Sequence, residues 1–148
     1  MGLRARAIIA ELQGQHARAD WWLARSEKQT PSLPLTDLWW GQALVKRGQP
    51  DAAIEKFTRA SKLGPKFADP LEGWGEALMV KNQSHLALEK FAEADKYAPN
   101  WGRLHLKWGE ALAYFGKPDQ AKAQFARAAQ LDLTSSEKAE LAKASAHG

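Results

Sequence analysis

The sequence predicts an all-α fold built from consecutive helical hairpins, and two regularities predict it. The pentapeptide Trp-Gly-(Gln/Glu)-Ala-Leu begins at Trp40, Trp74 and Trp108, so it recurs with a constant 34-residue period. A second pattern, Ala-x3-Phe-x2-Ala, follows each pentapeptide at a fixed offset. The phenylalanines of this second pattern are Phe57, Phe91 and Phe125. A constant period of this length is typical of stacked repeat units.

Each repeat contains two predicted helices. In the first helix, apolar residues such as Trp40 and Leu44 lie one turn apart, which places them on one face. In the second helix, Ala53, Phe57 and Ala60 follow the same three- and four-residue steps. Glycine and alanine allow two helices to cross at about 8–10 Å, and the phenylalanine fills the space beside them. The pattern therefore predicts a tightly packed hairpin in each copy.

Turn residues separate the two helices of each repeat. Gly48 and Gly116 follow the first helices of two copies, and Asn82 replaces them in the middle copy. Both residue types tolerate a left-handed backbone. Pro50 and Pro118 lie at the start of second helices, where proline is tolerated because its missing N–H had no partner there. These residues predict short turns within the hairpins.

Polar residues at several helix starts predict caps. Ser84 is placed to cap the second helix of the middle repeat, and Asn100 the next first helix. Thr134 and Glu137 have capping-box spacing, which predicts a further helix from about 135 to 145. Its mostly polar residues are expected to cover the last hairpin and to face water, as the end of a repeat array requires.

A fourth, degenerate copy lies upstream of the three clear ones. At the same spacing, Gly14, Ala19 and Leu23 take the positions of the later turn glycine, alanine and phenylalanine. Ala7 replaces the first-helix glycine. Residues 2–31 are therefore expected to form one more hairpin. Because this copy begins almost at residue 1, we hypothesise that the chain is a piece of a longer array.

These regularities resemble the tetratricopeptide repeat (TPR). The resemblance rests on the period, the aromatic-glycine pair, the Ala-x3-Phe-x2-Ala pattern and the closing prolines Pro65 and Pro99, and it covers at least residues 34–135. It implies a right-handed α-solenoid of antiparallel hairpins, whose concave face is lined by the first helices. The expected division is a degenerate repeat at 1–33, repeats at 34–67, 68–101 and 102–135, and a C-terminal capping helix at 136–148.

The resemblance further implies that the chain binds a partner protein or peptide in the concave groove. An acidic patch of Asp69, Glu72 and Glu76 is expected there. Arg103 and Lys107 are expected beside it, so a partner that carries both signs of charge would fit. For any single charge, a merely hydrated helix face is the alternative. The residues expected to bind the partner are Leu38, Trp39, Gln42, Lys46, Asp69, Glu72, Glu76, Met79, Arg103, Lys107, Glu110 and Tyr114.

Trp21 and Trp22 form an unusual pair in the degenerate copy. At the 34-residue spacing they take the place of Glu55–Lys56 and Glu89–Lys90, so they are expected to be exposed. An exposed tryptophan pair indicates a contact with upstream chain, a second copy or a partner, and so an interface at the N-terminal edge. The alternative is a shifted repeat that tucks one ring inside.

Composition narrows the classes of partner and of compartment. The formal net charge is +4, but Lys and Arg are mixed with Asp and Glu along the chain, whereas a nucleic-acid binder more often shows a basic stripe. No apolar run approaches the roughly 18 residues of a membrane span. The absence of cysteine excludes disulfides and thiolate sites, and it fits the reducing cytoplasm. We therefore expect neither nucleic-acid nor membrane binding, and a cytoplasmic location.

The sequence contains no recognisable catalytic motif. Its histidines do not pair at ligand spacing, and His105 is interpreted as a structural residue. We therefore expect no enzyme activity, no cofactor and no metal site. Two alternatives to partner binding remain. One is a self-associating structural segment that uses the N-terminal edge, and the other is a regulatory module of a larger protein.

Overall fold

A computed structural model describes residues 1–146 of the chain. Over these residues it contains nine α-helices joined by short turns, and no strand. The predicted all-α fold is confirmed. The helices are α1 (Leu3–Leu12), α2 (His16–Gln29), α3 (Pro34–Lys46), α4 (Pro50–Leu63), α5 (Ala68–Val80), α6 (Ser84–Tyr97), α7 (Gly102–Tyr114), α8 (Pro118–Ala129) and α9 (Ser135–Ala146).

The chain divides into two compact units, Met1–Lys66 and Phe67–Gly148. In the first unit, α1 pairs with α2 and α3 with α4, and α2 packs beside α3. In the second unit, α5 pairs with α6 and α7 with α8, and α6 packs beside α7. Helix α9 contacts both α7 and α8. The repeat boundaries expected from the sequence remain a prediction.

The turns within the hairpins share one backbone conformation. Gly14, Gly48 and Gly116 have φ values of 74°, 76° and 81°, and Asn82 has a φ of 60°. Residues with a large Cβ branch rarely adopt this left-handed region, whereas glycine and asparagine do so readily. The turn prediction is confirmed, and it extends to Gly14 of the degenerate copy.

A close contact between a glycine and a phenylalanine holds each clear hairpin together. A Cβ on Gly75 would lie 2.4 Å from Cε1 of Phe91, and the Phe91 side chain is fully buried. In the first hairpin, Ala7 and Leu23 take these positions, and both are fully buried. The first helix there carries a larger residue and the second helix a smaller one. In the other two clear hairpins, a Cβ added to the glycine would lie 2.5 Å from Cε1 of the phenylalanine, and these pairs are Gly41–Phe57 and Gly109–Phe125.

Two of the predicted caps are wrong. Helix α6 begins at Ser84, and Gln83 before it makes no side-chain cap. Helix α7 is preceded by Trp101, again without a side-chain cap. The Asn100 side chain instead accepts a hydrogen bond from Arg127, which lies 27 residues further along the chain. The local sequence pattern predicted a cap from Asn100, but its side chain is bound by a residue that is distant in the sequence.

The capping box at the start of α9 is confirmed. The Thr134 N–H donates to Glu137 Oε1 at 2.9 Å, and the Glu137 N–H donates to Thr134 Oγ1 at 3.1 Å. Two N–H groups that the helix cannot satisfy itself thereby find acceptors. Residues 147–148, which the sequence assigned to this helix and which include His147, lie outside the described residues.

Candidate functional site

The residues expected to bind a partner lie on the first helices α3, α5 and α7. On α3, Gln42 and Lys46 are exposed, Trp39 is half-buried and Leu38 is buried. In the second unit, Tyr114 is 78% exposed, whereas Glu72 is only 2% exposed. Partner binding by these residues remains a prediction. The half-buried members of the second unit are Asp69, Glu76, Met79, Arg103, Lys107 and Glu110.

Arg103 lies at the centre of a charged network that joins three helices of the second unit. Its Nε and Nη2 donate to the two carboxylate oxygens of Glu76 at 3.1 and 2.8 Å, and its Nη1 donates to Glu137 Oε2 at 3.1 Å. Two parallel bonds from a guanidinium to one carboxylate hold both groups in a defined geometry. We name the network the charge ladder, and its members are Glu72, Glu76, Arg103, Lys107, Glu110, Glu137 and Glu140.

Lys107 repeats this arrangement one turn further along α7. Its Nζ donates to Glu140 Oε2 at 2.6 Å and lies 3.5 Å from Glu110 Oε1. Helix α9 therefore supplies one carboxylate to each of the two basic residues of α7. The sequence placed Arg103 and Lys107 beside an acidic patch, open to a partner. In the structure both are already engaged by acids of the same unit.

The pKa values of four acids in the charge ladder are shifted, in two opposite directions. Burial raises the pKa of Glu72 well above its usual range, and the charge of neighbouring Glu76 raises it further. Burial likewise raises the pKa of Glu110 to about 7. Burial also opposes ionisation of Glu137, but the Thr134 N–H and the Arg103 guanidinium hold its pKa below the usual range.

Glu140 of α9 behaves like Glu137. Burial opposes its ionisation, but neighbouring Glu110 and Lys107 hold its pKa below the usual range. The most desolvated acids of α5 and α7 therefore retain protons more readily, while the two acids of α9 are ionised. The positive charges of Arg103 and Lys107 consequently face the carboxylates of α9 with little competition from Glu72 and Glu110.

Helix α9 is anchored by few apolar groups. Leu141 is its one large apolar residue, and it packs among side chains of α7 and α8 that include Leu106, Leu112 and Phe125. A cleft of about 520 Å³ lies between α9 and the end of α7, beside Tyr114, and another of about 390 Å³ lies between α9 and α8. Burial of one leucine contributes about 1.5–3 kcal/mol, and each partly exposed ion pair about 0.2–1 kcal/mol. The anchorage of α9 is therefore weak.

Glu137 and Glu140 were not among the residues expected at this site. The mostly polar composition of α9 predicts only a cover for the last hairpin. Glu137 follows Arg103 by 34 residues, so α9 is in phase with the first helices. That spacing is the signal that could have placed α9 beside α7.

Among residues 1–146, no group of three His, Cys, Asp or Glu side chains is arranged to hold a metal ion. Within the same range, no helix is long and apolar enough to cross a membrane.

Solved structures share this arrangement of helices. TTC0263, a thermophilic TPR protein of Thermus thermophilus, is 22% identical and superposes with a TM-score of 0.82, over 96% of this chain and 79% of that chain. The chain has the tetratricopeptide-repeat fold. One MamA structure is 20% identical with a TM-score of 0.74, over 95% of this chain and 74% of its own. Another is 18% identical with a TM-score of 0.75, over 85% and 74%.

These identities establish the TPR fold alone. No family model matches the sequence, and no curated protein matches it either. Statements about the partner of this TPR chain therefore rest on its own residues.

Two of the TPR hairpins share a contact between a lysine of the second helix and the tryptophan of the first. Lys56 Nζ lies 3.7 Å from the centre of the Trp40 ring, and Lys90 Nζ lies 3.7 Å from the centre of the Trp74 ring. In the last hairpin, Gln124 takes the position of these lysines, and Trp108 instead stacks with His105 of its own helix. The two lysine contacts are attractive because the face of a tryptophan ring is electron-rich.

His105 has the structural role that its sequence position indicated. It is 5% exposed, and its Nδ1 and Nε2 lie 2.7 Å from Gln124 Oε1 and from the Pro99 carbonyl oxygen. One ring nitrogen therefore meets α8 of the same hairpin, and the other meets the connection between α6 and α7. The histidine helps to close the turn before α7 and has no polar atom left for a ligand.

The two tryptophans of the degenerate TPR copy differ in their exposure. Trp21 is 53% exposed, with the Arg25 guanidinium 4.7 Å from its ring centre. Trp22 is half-buried and lies edge-on to Trp21, with Arg6 4.8 Å from its ring centre. The pair is therefore only partly exposed, and the burial of Ala19 and Leu23 at the expected positions shows no shift of this copy. An interface at this edge remains a prediction.

Proposed function

We propose that this TPR chain binds a partner protein along the face formed by its first helices, in the concave groove that the resemblance implies. The contrast between two classes of residue carries the proposal. Residues that recur in every clear copy, such as Gly75 and Phe91, pack the hairpins. Within the charge ladder, Glu76 and Glu110 fill the same position of the pentapeptide, but Glu72, Arg103 and Lys107 have no residue of like charge one repeat period away. These three lie together on α5 and α7. A surface that differs between otherwise alike repeats is suited to selecting one partner.

Within the second unit, the basic pair and its surroundings are assigned to the partner. Arg103 keeps 35% of its side chain exposed, and Tyr114 projects from the end of the same helix. Tyrosine and arginine are the residue types that contribute most at protein interfaces. On α3 of the first unit, the exposed Gln42 and Lys46 are the corresponding candidates.

A capture experiment tests this proposal. The wild-type chain, immobilised, is expected to retain a defined set of proteins from an extract of its source cells. The variant Arg103→Gln plus Lys107→Gln is expected to lose them, because it removes the two charges that face the groove. The variant Lys96→Gln plus Lys122→Gln removes the same charge from exposed positions on α6 and α8 and should retain them.

Two outcomes would contradict the proposal. In the first, the wild-type chain and the control variant capture no protein in common. In the second, the Arg103 and Lys107 variant retains the same proteins as the wild type. Circular dichroism of each variant is needed to show that the helix content is unchanged, since a loss caused by unfolding would not report on the groove.

The exposed ring of Trp21 favours a second candidate function, self-association through the N-terminal edge. An exposed tryptophan beside Arg25 is typical of a contact surface. The mass of the wild-type chain by light scattering is then expected to rise with concentration, and Trp21→Ala should reduce that rise. A constant monomer mass across the whole concentration range would remove this candidate.

A further inference from the structure

Helix α9 occupies the place of one more first helix beside α7. Its Glu137 follows Arg103 by 34 residues, the period of the repeats, and the two side chains are joined by a hydrogen bond of 3.1 Å. Unlike the first helices of the clear repeats, α9 carries no Trp-Gly pair. Thus α9 has the position of a first helix but lacks the residues that pack one into a hairpin.

The contacts that hold α9 form a short recognition pattern. Glu137 and Glu140 lie one helical turn apart and reach Arg103 and Lys107, and Leu141 enters the apolar surface of α7 and α8. Two basic residues on α7 and one apolar depression are therefore complementary to the sequence Glu-x-x-Glu-Leu on a helix. The two basic residues belong to the face already assigned to partner binding.

The surface of α7 and α8 on which α9 lies, which we name its seat, is larger than the area that α9 covers. The cleft of about 520 Å³ runs along Ala144 and Lys143 on one side of the helix, and the cleft of about 390 Å³ runs along Ser145 on the other. Small residues therefore face both clefts. A helix with larger apolar side chains at the positions of Ala144 and Ser145 would bury more apolar surface there.

We propose that the seat of α9 on α7 and α8 is a docking site for an acidic amphipathic helix of a partner protein, and that α9 is its built-in occupant. The partner helix carries two carboxylates one turn apart followed by a large apolar residue, as in Glu137, Glu140 and Leu141, and it displaces α9. This inference rests on the proposed function, since it names the chemistry of the partner and the regulation of the same face.

The tether sets how strongly the partner must bind. Since α9 is joined to α8 by a short linker, its effective concentration at the seat is on the order of millimolar. A partner helix prevails only if it fills the clefts better than α9 does or if α9 is weakened. Proteins that lack this pattern of acids and apolar residues are thereby kept off the seat.

The α9 sequence itself supplies a probe for this site. A fluorescent peptide with the sequence of Thr134–Ala146 is titrated against three full-length chains, and binding is followed by fluorescence anisotropy. The first chain is the wild type, and the second carries Glu137→Gln plus Glu140→Gln, which weakens its own α9. The third carries Glu55→Gln plus Glu89→Gln, which removes two exposed acids from α4 and α6 as a matched control.

We expect the peptide to bind the chain with the weakened α9 about tenfold more tightly than the wild type, since two partly exposed ion pairs of the internal competitor are lost. The control chain should bind like the wild type. A peptide with glutamine at both acid positions should lose most of its affinity for every chain. Equal affinity for the weakened and control chains, or equal binding of the glutamine peptide, would overturn the inference.

Hydrogen exchange on the wild-type chain provides a measurement that depends on no variant. At saturating peptide, exchange of the amides of Ser135–Ala146 in the protein is expected to accelerate, because α9 leaves its seat. Bound peptide with unchanged protection of α9 would place the peptide elsewhere and overturn the inference. The proposed function would survive that outcome if the variant at Arg103 and Lys107 still failed to capture the native partners.

Discussion

The Arg6 guanidinium lies 4.8 Å from the centre of the Trp22 ring, at the position where later hairpins place a lysine over a tryptophan. In the second hairpin, Lys56 of α4 covers Trp40 of α3. One repeat period upstream, Trp40 corresponds to Arg6 and Lys56 corresponds to Trp22. The cation and the ring have therefore exchanged helices in the degenerate copy. This exchange explains Trp22, whereas it leaves the exposed Trp21 unexplained.

An exchange of this kind should be reversible by mutation. Arg6→Ala is expected to lower the free energy of unfolding by about 0.5–1 kcal/mol, because the cation–ring contact is partly exposed. The double variant Arg6→Trp plus Trp22→Lys restores the arrangement of the later hairpins and should recover most of that loss. Urea unfolding measures both. A double variant less stable than Arg6→Ala would show that the two arrangements are not equivalent.

The contact of Gly75 with Phe91 predicts the sign of a substitution that helix propensity alone would get wrong. Alanine favours a helix over glycine by about 1 kcal/mol. At Gly75, however, the added Cβ would lie 2.4 Å from a fully buried ring, and overpacking of that kind costs about 1–3 kcal/mol. Gly75→Ala should therefore lower the melting temperature. Gly2→Ala, at the extended residue before α1 where no atom lies within 4 Å, shows the effect of an added methyl group without a clash.

The degenerate copy also suggests how to repair that variant. It pairs Ala7 with Leu23, so Gly75→Ala combined with Phe91→Leu should regain part of the lost stability. If the double variant loses more unfolding free energy than its two single variants lose together, the two hairpins do not pack in the same way.

The two roles of Glu137 can be separated by three variants. Thr134→Ala removes a capping bond, and a lost cap costs about 0.5–2 kcal/mol. Glu137→Gln keeps an acceptor for the Thr134 N–H but loses the charge facing Arg103, and Glu137→Ala loses both. Amide protection of α9, measured by hydrogen exchange, should therefore be lowest in Glu137→Ala. Added salt should weaken α9 less in Glu137→Gln than in the wild type, because only the pair of Lys107 with Glu140 remains, and equal salt effects would contradict the ion-pair role.

Asp37 on α3 predicts a pH dependence of stability. Burial raises the pKa of Asp37 from its usual 3.8 to about 7, with nearby Glu27 adding to the shift, although Arg59 Nε lies 3.1 Å away. Between these two pH values the folded chain binds a proton that the unfolded chain has lost. Its free energy of unfolding therefore falls as pH rises through this window, by at most about 1.4 kcal/mol per pH unit.

The variant Asp37→Asn should flatten this dependence and be more stable than the wild type above pH 7, where Asp37 is ionised. Thermal unfolding from pH 4 to pH 8 measures both effects. Asp119→Asn, which alters an exposed acid of α8, serves as the control. An unchanged slope in Asp37→Asn would assign the pH dependence to other groups.

Constant spacing along the chain is enough to define the hairpins. A glycine and a phenylalanine at one fixed interval meet in each clear hairpin, so their recurrence already encodes the hairpin, as Gly75 and Phe91 show. The turns at Gly48 and Asn82 were also readable, because a left-handed backbone restricts the residue type locally.

Which charges meet depends on the packing of the helices in space. Arg103 has Glu72, Glu76 and Glu137 within reach, and it forms hydrogen bonds with Glu76 and Glu137. For a similar reason, the Asn100 side chain accepts a hydrogen bond from Arg127 and does not cap α7. The partner of a long flexible side chain depends on which groups lie near it in space, and neither the repeat period nor helix propensity predicts that. The residues expected to bind a partner lie on α3, α5 and α7, and their role as a site remains a prediction. The repeat pattern gave no role to α9, whose acids engage Arg103 and Lys107.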